Sequence, residues 1–216
     1  MPLSASSSDL SKMTPSDALR RLKEGNVRFL NNLREPRDPH KDIEQTKAGQ
    51  WPFAAIVACM DSRVSTEMVF DLGIGDMFSL RIAGNVLTEG MIGSLEYATA
   101  VVGSKLIVVM GHSNCGAVKA ACDHVELGSL TSLLAQVQPA VQLTKRVPGP
   151  RDSSNAEFVQ AVADLNVQLA VEQLPQRSAL IANLVKEGKV AIVPAMYDVA
   201  TGRVRFFEKE ASDSIG

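Results

Sequence analysis

Residues 54–64 read A-A-I-V-A-C-M-D-S-R-V. The first five are small or β-branched and uncharged, as a strand buried on both faces requires. The run ends in a thiol, Cys59, followed by a carboxylate at Asp61 and a guanidinium at Arg63. A second apolar run, Leu106-Ile107-Val108-Val109-Met110, ends in Gly111-His112 and reaches Cys115 three residues later. In open α/β sheets, ligands bind beyond the carboxyl ends of the strands, where the strand order reverses. If these two strands are spatial neighbours, as in a 2-1-3-4 order, Cys59, Asp61, Arg63, His112 and Cys115 converge on one site.

The rest of the chain supports such a sheet. Further strands are expected at Met77–Ile82 and Val190–Val193, with an edge strand at Arg203–Phe207 after the turn Ala200-Thr201-Gly202. Helical stretches separate them: Ser65–Leu72, Ile92–Val102, a short helix from Gly116, and a longer one around residues 129–146. The last runs from Asn155 to Lys186, interrupted at Pro175, with Gly188 as its closing residue. Alternating strands and helices predict an α/β fold with a mostly parallel sheet and right-handed crossovers. Thr14-Pro15-Ser16-Asp17 is a helix start with Thr as N-cap and an acid three residues on. The expected organisation is a flexible N-terminus over residues 1–13, a helical arm over 14–40, and an α/β catalytic domain over 41–216.

Composition narrows the function classes. The chain has 216 residues, 45% hydrophobic and 5% aromatic, with a net charge of −2. That is enough apolar mass for a substantial core, and it shows no basic footprint for nucleic acid. No window reaches the roughly 18 consecutive apolar residues of a membrane span, and the first ten residues lack the basic and apolar regions of a secretory signal. Three cysteines do not make an even disulfide framework. A reducing compartment follows, with thiols used for metal or catalysis; the expected location is cytoplasmic, or an organelle if a targeting segment precedes the sequence.

His-x-x-Cys at a strand–helix junction can place an imidazole nitrogen and a thiolate on one ion, and Cys59 adds a second sulfur. Cys₂His is a donor set that zinc favours, and three protein ligands leave the fourth position open, as catalytic sites do. A Cys–His nucleophile remains the alternative, although it leaves one cysteine without a use. Cys122 and His124 follow on the next helix; a buried small hydrophobe is the simpler reading of Cys122, and His40 reads as surface. The Cys-x₅-Arg spacing of phosphatase loops is not met, and Gly73-Ile74-Gly75 precedes a strand instead of following one, so it is not a dinucleotide loop.

C-M-D-S-R at 59–63 and G-H-S-N-C-G-A at 111–117 together resemble the β-class carbonic anhydrases. The likeness extends to K-E-G-N-V-R-F at 23–29, R-I-A-G-N at 81–85, G-S-L-E-Y-A at 93–98 and Y-D-V-A-T-G at 197–202. The resemblance implies one zinc ion per chain held by Cys59, His112 and Cys115, with water or hydroxide as fourth ligand. The implied reaction is reversible hydration of carbon dioxide to bicarbonate and a proton. Asp61 and Arg63 would form the family's dyad, in which Arg63 holds Asp61 and Asp61 orients the attacking oxygen. In a closed low-pH state Asp61 would itself join the metal.

Gln50, Phe78 and Tyr97 fall where plant-type members place substrate-contacting residues. In such members the pocket lies between subunits, which implies a dimer or tetramer with the N-terminal helix packing on the partner. Two other readings share the ligand motifs: hydrolysis of carbonyl sulfide or carbon disulfide, and a non-catalytic zinc module. One departure is specific. Some bacterial members build a non-catalytic bicarbonate site from a tryptophan three residues before the first zinc cysteine and a glycine just before it; here these are Ile56 and Ala58. Hydration rates measured with rising bicarbonate should therefore fall only as product inhibition predicts, and a sigmoidal loss would contradict this reading.

Overall fold

The structure is a computed structural model that describes residues 7–145 and 147–207. Among these, five strands form one sheet: β1 (Ala54–Ala58), β2 (Met77–Arg81), β3 (Leu106–His112), β4 (Ala191–Tyr197) and β5 (Val204–Phe206). Their order is β2-β1-β3-β4-β5, parallel except for the antiparallel β5. The helices are α1 (Ser7–Lys12), α2 (Pro15–Leu30), α3 (Pro39–Thr46), α4 (Thr66–Val69), α5 (Glu89–Glu96), α6 (Gly116–Cys122), α7 (Gly128–Leu134), α8 (Gln138–Leu143), α9 (Ala156–Arg177) and α10 (Ala179–Lys186). A π-turn over Tyr97–Val101 extends α5.

Every residue of β1 and β3 is buried, which is why both read as unbroken apolar runs. Side chains alternate between faces. Ala55, Val57, Ile107 and Val109 point into one core with Phe158, Val162 and Val167 of α9. Ala54, Ile56, Ala58, Leu106, Val108 and Met110 point into the other, closed by Ala18 and Leu22 of α2 together with Phe53 and Phe70. α2 thus covers one face of its own chain's sheet.

α2 begins as the sequence predicts. The Thr14 hydroxyl accepts from the Asp17 N–H at 3.1 Å, and the Asp17 carboxylate accepts from the Thr14 N–H at 3.1 Å, so two orphan donors are satisfied reciprocally. From α2, Arg21 and Arg28, and beyond it Arg37, reach the loop that leads into β2. Arg28 donates to the buried carboxylate of Asp71 at 2.6 Å, Arg37 donates to the Asp71 carbonyl, and Arg21 holds the buried Asp76 at 2.9 Å.

Several boundaries differ from expectation. Of the stretch 1–13 read as flexible, residues 1–6 lie outside the described residues, and the described part carries α1, which buries Leu10. His40, read only as a surface residue, lies in α3: Asp38 caps this helix by accepting from the His40 and Lys41 N–H groups, and Pro39 occupies its first turn. A proline just inside a helix start has no N–H to waste, so Asp38-Pro39 is a helix beginning. The helix expected around 129–146 is two, α7 and α8, and residue 146 lies outside the described residues. Pro175 does not interrupt α9, which continues to Arg177; the break comes at Ser178, whose hydroxyl caps α10 through the Ile181 N–H at 3.2 Å. β4 runs on through Pro194 to Tyr197.

Gly25 shows how tightly α2 is seated. A Cβ there would lie 1.9 Å from the Phe70 carbonyl oxygen. Alanine normally stabilises a helix interior by about 1 kcal/mol over glycine. Here Gly25→Ala should instead destabilise by roughly 1–3 kcal/mol or more, because backbone must move to admit the methyl. Urea unfolding would show it as a lower midpoint, and a raised midpoint would mean that α2 is not packed this closely.

Candidate metal centre

Three donors meet at the carboxyl ends of β1 and β3. Cys59 follows β1 directly, His112 is the last residue of β3, and Cys115 sits just before the first turn of α6. Between His112 and Cys115 the chain reverses at Asn114, in the left-handed region at φ +56°. The two sulfurs are 3.9 Å apart. With a ring nitrogen of His112, the donor atoms all lie within 4.8 Å of one another, and all three residues are buried. Two sulfurs held at about 2.3 Å by a tetrahedral ion lie about 3.8 Å apart. The cluster has the spacing of a first coordination sphere.

The imidazole points the same way. Nδ1 of His112 is 2.9 Å from the Ser113 carbonyl oxygen, so Nδ1 carries the proton and Nε2 the lone pair. Nε2 is buried and has no hydrogen-bond partner among the described residues. A buried unpaired acceptor costs about 1–3 kcal/mol, which a metal ion at this nitrogen would remove. The residues therefore fit a zinc ion in donor type, spacing and tautomer.

The two thiols also shape each other. Cys59 is held well below the usual thiol range, first by the hydrogen bond from Cys115, against the cost of burial, and then by the backbone N–H donors of Asp61 and Gly84. One of these is the Gly84 N–H, 3.4 Å from Cys59 Sγ. Cys115 is pushed up, by its bond to Cys59 and by burial. Cys122 is buried and stands outside this cluster; burial raises its thiol to about 11.

Beside the donors lies a fixed carboxylate. Arg63 grips Asp61 through two bonds, Nε to Oδ1 at 2.9 Å and Nη2 to Oδ2 at 2.7 Å, and its backbone N–H adds a third at 3.0 Å. Arg63 in turn reaches the Asn114 carbonyl at 3.3 Å. The guanidinium holds Asp61 far below the ordinary carboxylate range, ahead of the opposing effect of burial. Asp61 Oδ2 is 3.8 Å from His112 Nε2, close to the donor cluster without being part of it.

With this geometry in hand, the comparisons with known proteins agree. Residues 54–204 match the profile of the family described as carbonic anhydrase. The chain belongs to that family. A carbonic anhydrase of Mycolicibacterium smegmatis is 38% identical over 88% of this chain and 92% of its own length. Carbonic anhydrase 2 of Mycobacterium tuberculosis is 39% identical, with 88% and 91% covered. Among solved structures, a β-carbonic anhydrase of Aspergillus fumigatus superposes with a TM-score of 0.68 at 26% identity, over 92% of this chain and 93% of that one. A Sordaria macrospora β-carbonic anhydrase, described as tetrameric, shares the fold with a TM-score of 0.67 at 22% identity, over 79% and 91%.

The structure thus brings together Cys59, His112, Cys115, Asp61 and Arg63. Phe78 and Tyr97 meet edge to face, centroids 6.2 Å apart, in an open cleft of about 500 Å³ shared with Leu80 and Gly93. Gln50 is exposed and does not line that cleft. Sequence reasoning gave no role to Arg81, which donates to the carbonyls of Cys59 at 3.3 Å and Asp61 at 2.6 Å and so braces the loop that carries both. It was within R-I-A-G-N, but nothing in its spacing says which carbonyls it meets.

The dyad makes a direct prediction for titration. An ordinary aspartate titrates near pH 3.9, and an adjacent arginine lowers this by about 1–3 units. The Asp61 carboxyl ¹³C shift should stay that of the ionised form as pH is lowered to about 3. In Arg63→Ala it should titrate closer to the ordinary value. Equal titration in both proteins would show that Arg63 does not hold the carboxylate.

Proposed function

We propose that this β-class chain uses zinc to catalyse reversible hydration of carbon dioxide to bicarbonate and a proton. The observation that carries the reading is the buried Cys59–His112–Cys115 cluster, with sulfurs 3.9 Å apart, next to a carboxylate locked by Arg63. Cys59, His112 and Cys115 would hold the ion. When bound, zinc supplies a Lewis acid that makes a water a competent nucleophile, less strongly with two thiolates among its ligands than with three imidazoles, so turnover rises toward alkaline pH.

The side chains around it have separate duties. Asp61, kept ionised by Arg63, can only accept a hydrogen bond. It therefore takes the proton side of the attacking oxygen and turns a lone pair toward the substrate carbon. Because Arg63 occupies both carboxylate oxygens, the orientation is set before substrate arrives, which is how positioning contributes to rate. Drawing Asp61 toward a bound metal would break both guanidinium bonds from Arg63 and strain the bond from its backbone N–H, so Arg63 would favour the open arrangement.

Phe78 and Tyr97 offer an apolar surface for an apolar substrate. We place Gln50 in the pocket only across a subunit boundary, since within one chain it is apart from that cleft. Tyr97 is half exposed at an open edge of the sheet, which supports a dimer or tetramer. All three cysteines are free, which supports a reducing, cytoplasmic setting. No helix among the described residues is long and apolar enough to cross a membrane.

Stopped-flow hydration of carbon dioxide, from about pH 6.5 to 9, tests the reading. One zinc per chain should accompany activity that climbs with pH and disappears on chelation. Asp61→Asn should retain zinc and lose roughly 10²-fold or more in rate. Unchanged hydration in that variant would remove Asp61 from the mechanism. Zinc-loaded protein inert toward carbon dioxide but active on carbonyl sulfide would assign the sulfur substrate instead.

A further inference from the structure

Behind the sulfur of Cys59 lies a turn that sequence reading left without a purpose. Residues Ala83–Asn85 form a single tight turn in which two consecutive residues are left-handed, Gly84 at φ +67° and Asn85 at φ +46°. For Asn85 this backbone is uncommon, and strain of this kind persists where the surroundings fix it for a reason. The visible result is the direction of one N–H: that of Gly84 points at Cys59 Sγ from 3.4 Å.

The peptide unit that follows that N–H, Gly84–Asn85, is held at both its polar ends. Its N–H, that of Asn85, closes the turn onto the Ile82 carbonyl at 3.0 Å. Its carbonyl, that of Gly84, accepts from Asn166 Nδ2 of α9 at 3.0 Å, in a buried contact across 82 residues of chain. Asn166 is itself buried, in a helix whose neighbouring inward residues, Val162, Ala163 and Val167, are apolar. An amide there loses water on folding, and this carbonyl is the hydrogen-bond partner that repays it. α9 can come this close because Gly111 has no side chain: a Cβ there would be 2.7 Å from Val167 Cγ2.

We infer that Asn166 is a positioning residue for the metal centre: by pinning the Gly84 carbonyl it fixes the Gly84 N–H on the Cys59 sulfur and so sets how strongly that thiolate donates to the metal. This rests on the reading of Cys59 as a metal ligand. Hydrogen bonds to ligating atoms orient them and tune the ion, and their loss commonly costs 10–100-fold in metal affinity. Without Asn166 the turn has only the Ile82 closure to resist its left-handed strain, and the N–H swings off the sulfur.

The experiment uses the full chain reconstituted with cobalt(II), whose thiolate-to-metal absorption reports the sulfur lone pairs directly. An N–H donor stabilises those lone pairs, so its loss moves the band to longer wavelength. Asn166→Ala, and Asn166→Ser as the milder variant should alanine fail to fold, should both shift the band to longer wavelength. Zinc affinity by chelator competition should drop roughly 10–100-fold. Ser178→Ala, which removes a buried cap elsewhere on the α9–α10 junction, should lower thermal stability with neither change. A band and zinc affinity unmoved in the Asn166 variants, with only stability lowered, would reduce Asn166 to packing and overturn the inference. A wild-type protein without thiolate-to-cobalt absorption would instead refute Cys59 as a ligand, and the inference would fall with that reading.

Discussion

Where Ala58 of β1 lies opposite Met110 of β3, two strands far apart in the chain finish side by side. Their next residues are a thiol and, two positions on, an imidazole. Because side chains alternate strictly along a strand, a slip of one residue in this register would send Cys59 to the other face of the sheet. The apolar filling of both faces is what resists such a slip. Val57 and Ile56 are both fully buried, each in a different core, and neither could be exchanged with the other's neighbour without losing packing. Hydrophobic burial along the whole strand is thus converted into sub-ångström placement of one sulfur at its end.

The polar layer beyond the strands is arranged so that charge is handled by fixed donors. Arg63 neutralises Asp61, Arg81 braces the carbonyls on either side of Met60, and a backbone N–H serves the sulfur. These groups belong to three separate segments, the β1 loop, β2 and the turn after it. Preorganised donors of this kind act without having to reorient as charge develops. The arginines at Asp71 and Asp76 do a different job, anchoring the segment from α2 to α3 on the far face, with no contact to the donor cluster.

What could be read beforehand is what local chemistry encodes. The apolar runs, the abrupt polar ends and the His-x-x-Cys spacing located the cluster, and Thr14 located the start of α2. The beginning of α3 at Asp38-Pro39 and the continuation of β4 through Pro194 were missed because proline's effect depends on which backbone groups need partners, and that is settled by neighbours. Pro194 lies in β4 opposite Val109 and its carbonyl accepts from the Phe207 N–H at 3.0 Å, so the strand continues with one donor fewer. Asn166 was illegible for a stronger reason. Its partner is a single carbonyl on a distant turn, and no periodicity in α9 singles it out from the apolar residues around it.

The strand order also bears on how the chain is made. β1, β2 and β3 are complete once residue 112 has been synthesised, but β4, which covers the open edge of β3, starts only at Ala191. At about 5–20 residues per second, that gap of some 80 residues lasts about 4–16 s. Throughout it β3, every residue of which is buried in the finished fold, presents an unpaired edge, and α9, which shields one face of it, is itself still emerging. By then Cys59, His112 and Cys115 are all made, while the sheet that positions them still has an unpaired edge, the feature that favours association with other chains. The sheet that brings these side chains together can close only when most of the chain has been made.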